Sequence, residues 1–131
     1  MKIAMLLGEG ATASSVTTTL DMFRLAQRYQ PEAGWKPHLY STQGGLMRLN
    51  DAVAVDTLQL PASLGDYDAI FLPGFFAESL DHLVSQLQTT WHPVITRLQR
   101  LPETTLVAAS CYGTFVLAES GLLNGLPATT T

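Results

Sequence analysis

The sequence predicts an α/β fold, a parallel sheet sandwiched by helices, and three observations carry that expectation. Short apolar runs rich in strand formers recur at residues 3–7, 69–72 and 105–109. Each stops at small or loop-forming residues: Gly8-Glu9-Gly10, Pro73-Gly74 and Ser110-Cys111. Between the runs lie segments with apolar residues at helical spacing. Strands alternating with helices form a parallel sheet covered on both faces. Ligands of such sheets bind beyond the carboxyl ends of the strands, so those three ends mark the region where a site is expected.

Composition narrows the function classes. A chain of 131 residues suits one domain, and 47% hydrophobic against 14% charged residues excludes a disordered segment. The net charge is −4, and seven Lys and Arg are scattered along the chain. These residues give no electrostatic footprint for nucleic acid. One cysteine excludes an internal disulfide and a Cys-rich metal site. No metal and no cofactor are expected. The apolar run at the N-terminus is too short to span a membrane, and no cleavage pattern follows it. The expectation is a cytoplasmic chain without membrane contact.

In order along the chain, residues 3–7 are apolar throughout and read as a strand buried on both faces. Ser14 and Ser15 are candidate N-caps for a helix that carries Leu20, Phe23, Ala26 and Gln27 and ends before Pro31. Gly8-x-Gly10 is half of a dinucleotide fingerprint. It lacks the third glycine and the acidic residue ending a second strand, which argues against dinucleotide binding. Residues 35–41 form a second strand, with Trp35, Pro37, Leu39 and Ser41 on one face and Lys36, His38 and Tyr40 on the other. After the turn at Gly44-Gly45, residues 46–49 and 52–55 can pair as a hairpin around Asn50-Asp51.

Residues 69–72 form a central strand closed by Pro73-Gly74. Leu80, Leu83, Val84 and Leu87 then have the spacing of an amphipathic helix. Pro93 suits the first turn of another, whose apolar side is Val94, Ile95, Leu98 and Leu101. The strand before Cys111 is followed by a helix through Glu119, with Gly121 as its C-cap. Residues 128–131 begin a further extended segment.

The junction at Cys111 is the most informative stretch. A strand stops at the cysteine and a helix starts at once, with the small residues Ala109 and Gly113 two positions to either side. A nucleophile elbow needs this tight, strained turn with no bulk beside the reactive side chain. At a helix N-terminus, the thiolate is favoured by orphan N–H groups and the helix dipole. A buried structural cysteine at the end of a core strand is the competing reading.

The run from Ala109 to Gly125 (Ala-Ser-Cys-Tyr-Gly-Thr-Phe-Val-Leu-Ala-Glu-Ser-Gly-Leu-Leu-Asn-Gly), followed by Ala128-Thr129-Thr130, resembles the ThiJ/PfpI superfamily of class I glutamine amidotransferase-like proteins. It is most similar to the N-terminal domains of AraC-family transcriptional regulators and to isonitrile hydratases. Asp68 to Gly74 resembles the family's central strand and Pro-Gly loop, and Leu20 to Gln27 its first helix. The resemblance implies a flavodoxin-like, Rossmann-like sheet. It places Cys111 at the nucleophile position. The backbone N–H groups of Tyr112 and of Phe75, after Gly74, stand where donors would hold an oxyanion or a ligand carboxylate. The Phe75 ring departs from the family pattern and is expected to narrow that loop.

Two other departures bear on chemistry. Ser15 occupies the position where active members carry a Glu or Asp, and a hydroxyl cannot take a proton as a carboxylate does. Thr131 stands where a histidine often follows Ala-Thr-Thr. His38, His82 and His92 all precede Cys111, and none is at a matching position. Glu9 is the best local substitute for the missing acid, with a solvated loop residue as its plainer reading.

The resemblance therefore implies, first, the ligand-sensing and dimerising domain of an AraC-type regulator without efficient catalysis. Its partners would be a small-molecule ligand bound near Ser15, Gly74, Phe75 and Tyr112, and a second copy in a homodimer. DNA would be reached only through a helix-turn-helix domain that these residues do not contain. The alternative is a cysteine-dependent enzyme, an isonitrile hydratase or amidase-like hydrolase, using Cys111 with Glu9. A third reading is a stress-type protein whose Cys111 is oxidised to a sulfinate. Residues 1–131 are expected to be one ThiJ/PfpI-like domain, truncated at its C-terminal end.

Overall fold

A computed structural model describes residues 1–130. Six strands and four α-helices alternate as expected: β1 (Lys2–Leu6), α1 (Ala13–Tyr29), β2 (Lys36–Ser41), β3 (Gly45–Arg48), β4 (Ala54–Gln59), β5 (Ala69–Leu72), α2 (Leu80–Gln88), α3 (His92–Leu98), β6 (Leu106–Ala109) and α4 (Gly113–Glu119). The strands form one sheet in the order β3-β4-β2-β1-β5-β6, and only the β3–β4 pair is antiparallel. This is the α/β, flavodoxin-like architecture that the strand–helix alternation predicts.

β1 lies between β2 and β5, with Met5 paired to Leu39 on one side and Phe71 on the other. Its unbroken apolar sequence follows from burial on both faces. Ala4 and Leu6 join the larger core with Ile70, Leu72, Trp91, Val94, Leu98 and Val116, beneath α2, α3 and α4. Met5 and Leu7 point the other way, against Val16, Leu20 and Phe71 beneath α1. Trp91 is fully buried, and its indole fills the space a side chain at Gly8 would need, with ring carbons 2.6 Å from an added Cβ. Glycine at the end of β1 thus makes room for the largest core residue.

Several boundaries differ from the sequence expectation. Ser14 and Ser15 lie inside the first turn of α1 rather than capping it. Thr12 is the N-cap and makes no side-chain cap bond. The bend at the top of α1 is set instead by backbone pairing, in which the Thr12 N–H donates to the Gly74 carbonyl at 2.9 Å. The β3–β4 hairpin pairs Arg48 with Ala54, so β4 begins two residues later than the expected start at Ala52. The Asn50 side chain forces the longer loop by accepting from the N–H groups of Ala52 and Val53 at 2.9 and 2.8 Å. Residues 128–130 belong to no strand, and Thr131 lies outside the described residues. Gly121 does end α4: it takes a left-handed φ of 84° just past the C-cap and donates to the Ala118 carbonyl at 3.0 Å.

On the α2–α4 face, the Tyr40 and Tyr67 hydroxyls are hydrogen-bonded to each other and their rings meet edge to face. Burial, then the bond to Tyr40, then the neighbouring charges of Tyr40 and Asp66 push the Tyr67 pKa well above its ordinary 10.0. The folded chain therefore favours the neutral phenol. That contribution is whole below the unfolded pKa and is lost as the solution becomes more alkaline. Denaturant melts from about pH 9 to 12 are expected to show a steeper loss of stability for the native chain than for Tyr67→Phe. Parallel curves would show that Tyr67 does not carry this loss.

Candidate functional site

The carboxyl ends of β1, β5 and β6 meet at one edge of the sheet, where β5 pairs along its whole length with β6. Cys111 sits at this edge with φ 50°, the one non-glycine residue among those described with positive φ. Its side chain is exposed. A left-handed, non-glycine backbone stores roughly 1–3 kcal/mol and persists only where the surroundings impose it. Here they do so through Ser110, whose N–H donates to the Leu72 carbonyl at 3.0 Å and whose carbonyl accepts from Gly113 at 2.9 Å. Gly113 packs so closely that an added Cβ would lie 2.4 Å from the Leu72 carbonyl oxygen. The geometry is that of the elbow, and a buried core cysteine is ruled out.

Gly74 supports the turn from the other side. An added Cβ there would lie 2.9 Å from the Cys111 Cβ and 3.7 Å from the Ser15 Oγ. Ser15 Oγ accepts the Gly74 N–H at 2.9 Å and shares a hydrogen bond with Ser110 Oγ at 3.0 Å. The residue at the expected acid position therefore ties α1, the β5 loop and the elbow together. Its hydroxyl is committed to the scaffold.

The N–H groups of Phe75 and Tyr112 make no hydrogen bond among the described residues. Phe75 lies opposite Ala11 in an isolated antiparallel bridge whose bonds run through its neighbours, Gly74 and Phe76. This pairing leaves the Phe75 N–H free. Its ring does not narrow the loop as expected. It is buried against Trp91 and Tyr112, with ring centroids 5.1 and 5.9 Å away. The departure from glycine at this position adds to the core rather than to the site.

Around Cys111 a groove of about 480 Å³ opens between α1, β5 and the elbow. Its polar lining consists of hydroxyls, from Thr12, Ser14, Ser15, Thr18, Thr19 and Ser110. Sequence reasoning found Ser15 but missed the threonines of α1. Their three- and four-residue spacing from Ser15 was the available signal. Glu9 lines a different cavity of about 560 Å³, beyond β1 and β2 and beside Thr42, Arg48 and Thr90. His38 lies among Tyr40 and Tyr67, His82 accepts the Glu78 N–H at 3.2 Å, and His92 begins α3. None of the three lines the Cys111 groove. No group of three or more metal-ligating side chains occurs among the described residues, and no described helix is long and apolar enough to cross a membrane.

No family model matches the sequence, and no curated protein matches it. Solved structures do. A candidate transcriptional regulator protein from Vibrio parahaemolyticus aligns over 95% of this chain and 63% of its own, at 15% identity and a TM-score of 0.74. An AraC family transcriptional regulator from Pseudomonas putida aligns over the same shares, at 15% identity and a TM-score of 0.67. A ThiJ/PfpI domain protein from Brachyspira murdochii aligns over 98% of this chain and 68% of its own, at 13% identity and a TM-score of 0.66. The chain thus spans less than two thirds of the first two. Likeness at such low identity establishes architecture, and this chain has the fold of the ThiJ/PfpI proteins and of the AraC family regulator from Pseudomonas putida.

Proposed function

We propose that this chain is the ligand-sensing and dimerising domain of a cytoplasmic AraC-type transcriptional regulator, with an elbow that binds rather than turns over its ligand. The observation that carries the reading is the chemistry of the groove: Cys111 is its only titratable side chain, among hydroxyls and one aromatic ring. General acid–base help is worth about a hundred- to ten-thousand-fold, and neither a carboxylate nor an imidazole is placed to give it. Binding loses nothing by this. The hydroxyl-lined wall suits a small ligand bearing a carboxylate, whereas Phe75 and Tyr112, whose N–H groups were the expected donors, lie outside the lining of the groove. The regulator likenesses among the solved structures support the same reading. The DNA-binding part would be a helix-turn-helix outside these 131 residues, and residues 1–131 would be the first part of a larger sensor domain.

Exposure of Cys111 and its strained φ favour the alternative, a cysteine-dependent hydratase or amidase. One set of measurements separates the two. Thermal shift against a panel of small carboxylic acids is expected to raise the melting temperature, with Thr18→Trp abolishing the effect by filling the groove and Cys111→Ala preserving it. Turnover of an isonitrile or amide that disappears in Cys111→Ala would establish the enzyme instead. A native reading frame that continues past Thr131 without a helix-turn-helix would also overturn the regulator assignment.

A further inference from the structure

The cavity beyond the carboxyl ends of β1 and β2 is larger than the Cys111 groove, at about 560 Å³ against 480 Å³, and shares no lining residue with it. Its volume is that of a small-molecule site, and strand ends are where parallel sheets take their ligands. Hydrogen bonds fix its walls. After β1, the Ala11 N–H donates to the Gly8 carbonyl at 3.2 Å, and the Gly10 carbonyl accepts the Phe76 N–H at 2.8 Å. After β2, the buried Ser41 Oγ accepts the Gly44 N–H at 3.0 Å and shares a hydrogen bond with Thr57 Oγ1 at 2.7 Å. Walls held this way need little ordering when a ligand enters.

Glu9 and Arg48 are the only charged side chains of the lining. They come from different walls, one from the end of β1 and the other from β3, the outermost strand. Neither is spent on the other. One Arg48 Nη donates to the Asp51 carbonyl at 2.7 Å, which steadies the guanidinium and leaves its remaining N–H groups without a partner among the described residues. The Glu9 carboxylate has no hydrogen-bond partner among them either. A ligand that is cationic at one end and anionic at the other would satisfy both groups. No aromatic ring lines the cavity. A quaternary ammonium is recognised by a cage of such rings, so the cation that fits is a primary ammonium donating to a carboxylate. Leu46 shares its face of β3 with Arg48 and is 69% exposed, which leaves an apolar wall beside the guanidinium.

We propose that this cavity binds a free aliphatic amino acid, with Arg48 holding its carboxylate, Glu9 its ammonium and Leu46 packed on its side chain. The site is separate from the groove at Cys111 and does not rest on the regulator reading.

Isothermal titration calorimetry with L-leucine tests it. The native chain is expected to bind L-leucine, and Thr18→Trp, which fills the Cys111 groove, to bind it equally well. In that Thr18→Trp background, isocaproate lacks the ammonium and isoamylamine lacks the carboxylate. Each should bind at least about tenfold more weakly than L-leucine. Glu9→Gln and Arg48→Gln should each weaken L-leucine by about ten- to a hundredfold. Both side chains are exposed, so circular dichroism should show an unchanged fold. No heat of binding at millimolar L-leucine, or an affinity indifferent to both charge variants, would overturn the site. Binding that is lost in Thr18→Trp and kept in Glu9→Gln and Arg48→Gln would also overturn it, while supporting the Cys111 groove as the place where ligand binds.

Discussion

Trp91→Ala is expected to destabilise the chain by about 3–5 kcal/mol, the range for truncating a large buried aromatic. Against a total of roughly 5–15 kcal/mol for a domain of this kind, that is a large fraction. The melting temperature should fall by roughly 10–20 °C. The reason is position as well as size. Trp91 is fully buried, stacks near Phe75 and occupies the space left by the missing side chain of Gly8. Truncation therefore opens a void that neither β1 nor the Phe75 loop can fill without moving. The indole Nε1 is buried without a partner among the described residues, so Trp91→Phe removes an unsatisfied donor while keeping most of the ring. It should be markedly milder than the alanine variant. A loss below about 1 kcal/mol for Trp91→Ala would mean that the core collapses around the site.

Gly113→Ala should cost about 3 kcal/mol, the upper part of the overpacking range, because the obstacle is backbone. The added Cβ meets the carbonyl oxygens of Leu72 at 2.4 Å and Pro73 at 2.9 Å. The Leu72 oxygen accepts the Ser110 N–H that holds β6 to β5 at the elbow. Alanine is favoured over glycine in a helix by about 1 kcal/mol, which is too little to offset a clash of this kind. The Cys111 turn must shift with the strand end, so the rate of thiol labelling by a disulfide reagent should change along with the melting temperature. A variant as stable as the parent, with unchanged labelling, would show that the elbow is looser than its contacts imply.

The elbow was readable before any coordinates because its determinants are local. A strand, a cysteine, a small residue two positions on and a helical run leave the backbone few choices, and Gly113 and Cys111 take the conformations that pattern requires. Ser15 was readable only as an absence of acid. Its bonds to Gly74 and Ser110 join residues 59 and 95 positions away, and no local pattern encodes a meeting at that distance. The direction of the Phe75 ring was misjudged for the same reason: the pocket that takes it is built by Trp91 and Tyr112. Residues 128–130 read as a strand from composition, but extended propensity makes a strand only where a partner edge is available.

By itself, then, the sequence determined the alternation of strands and helices, the two-sided burial of β1 and the strained turn at Cys111. Each follows from side-chain period and backbone sterics within a few residues. Only the tertiary structure decided that Glu9 belongs to a different cavity from Cys111, that hydroxyls alone supply the polar side chains of the groove, and that α1 keeps an apolar face outward. The site outcomes depend on the order of strands in the sheet, which sets β5 between β1 and β6. Pairing between distant segments sets that order, and it is chosen by the packing of the whole core rather than by any one stretch of chain.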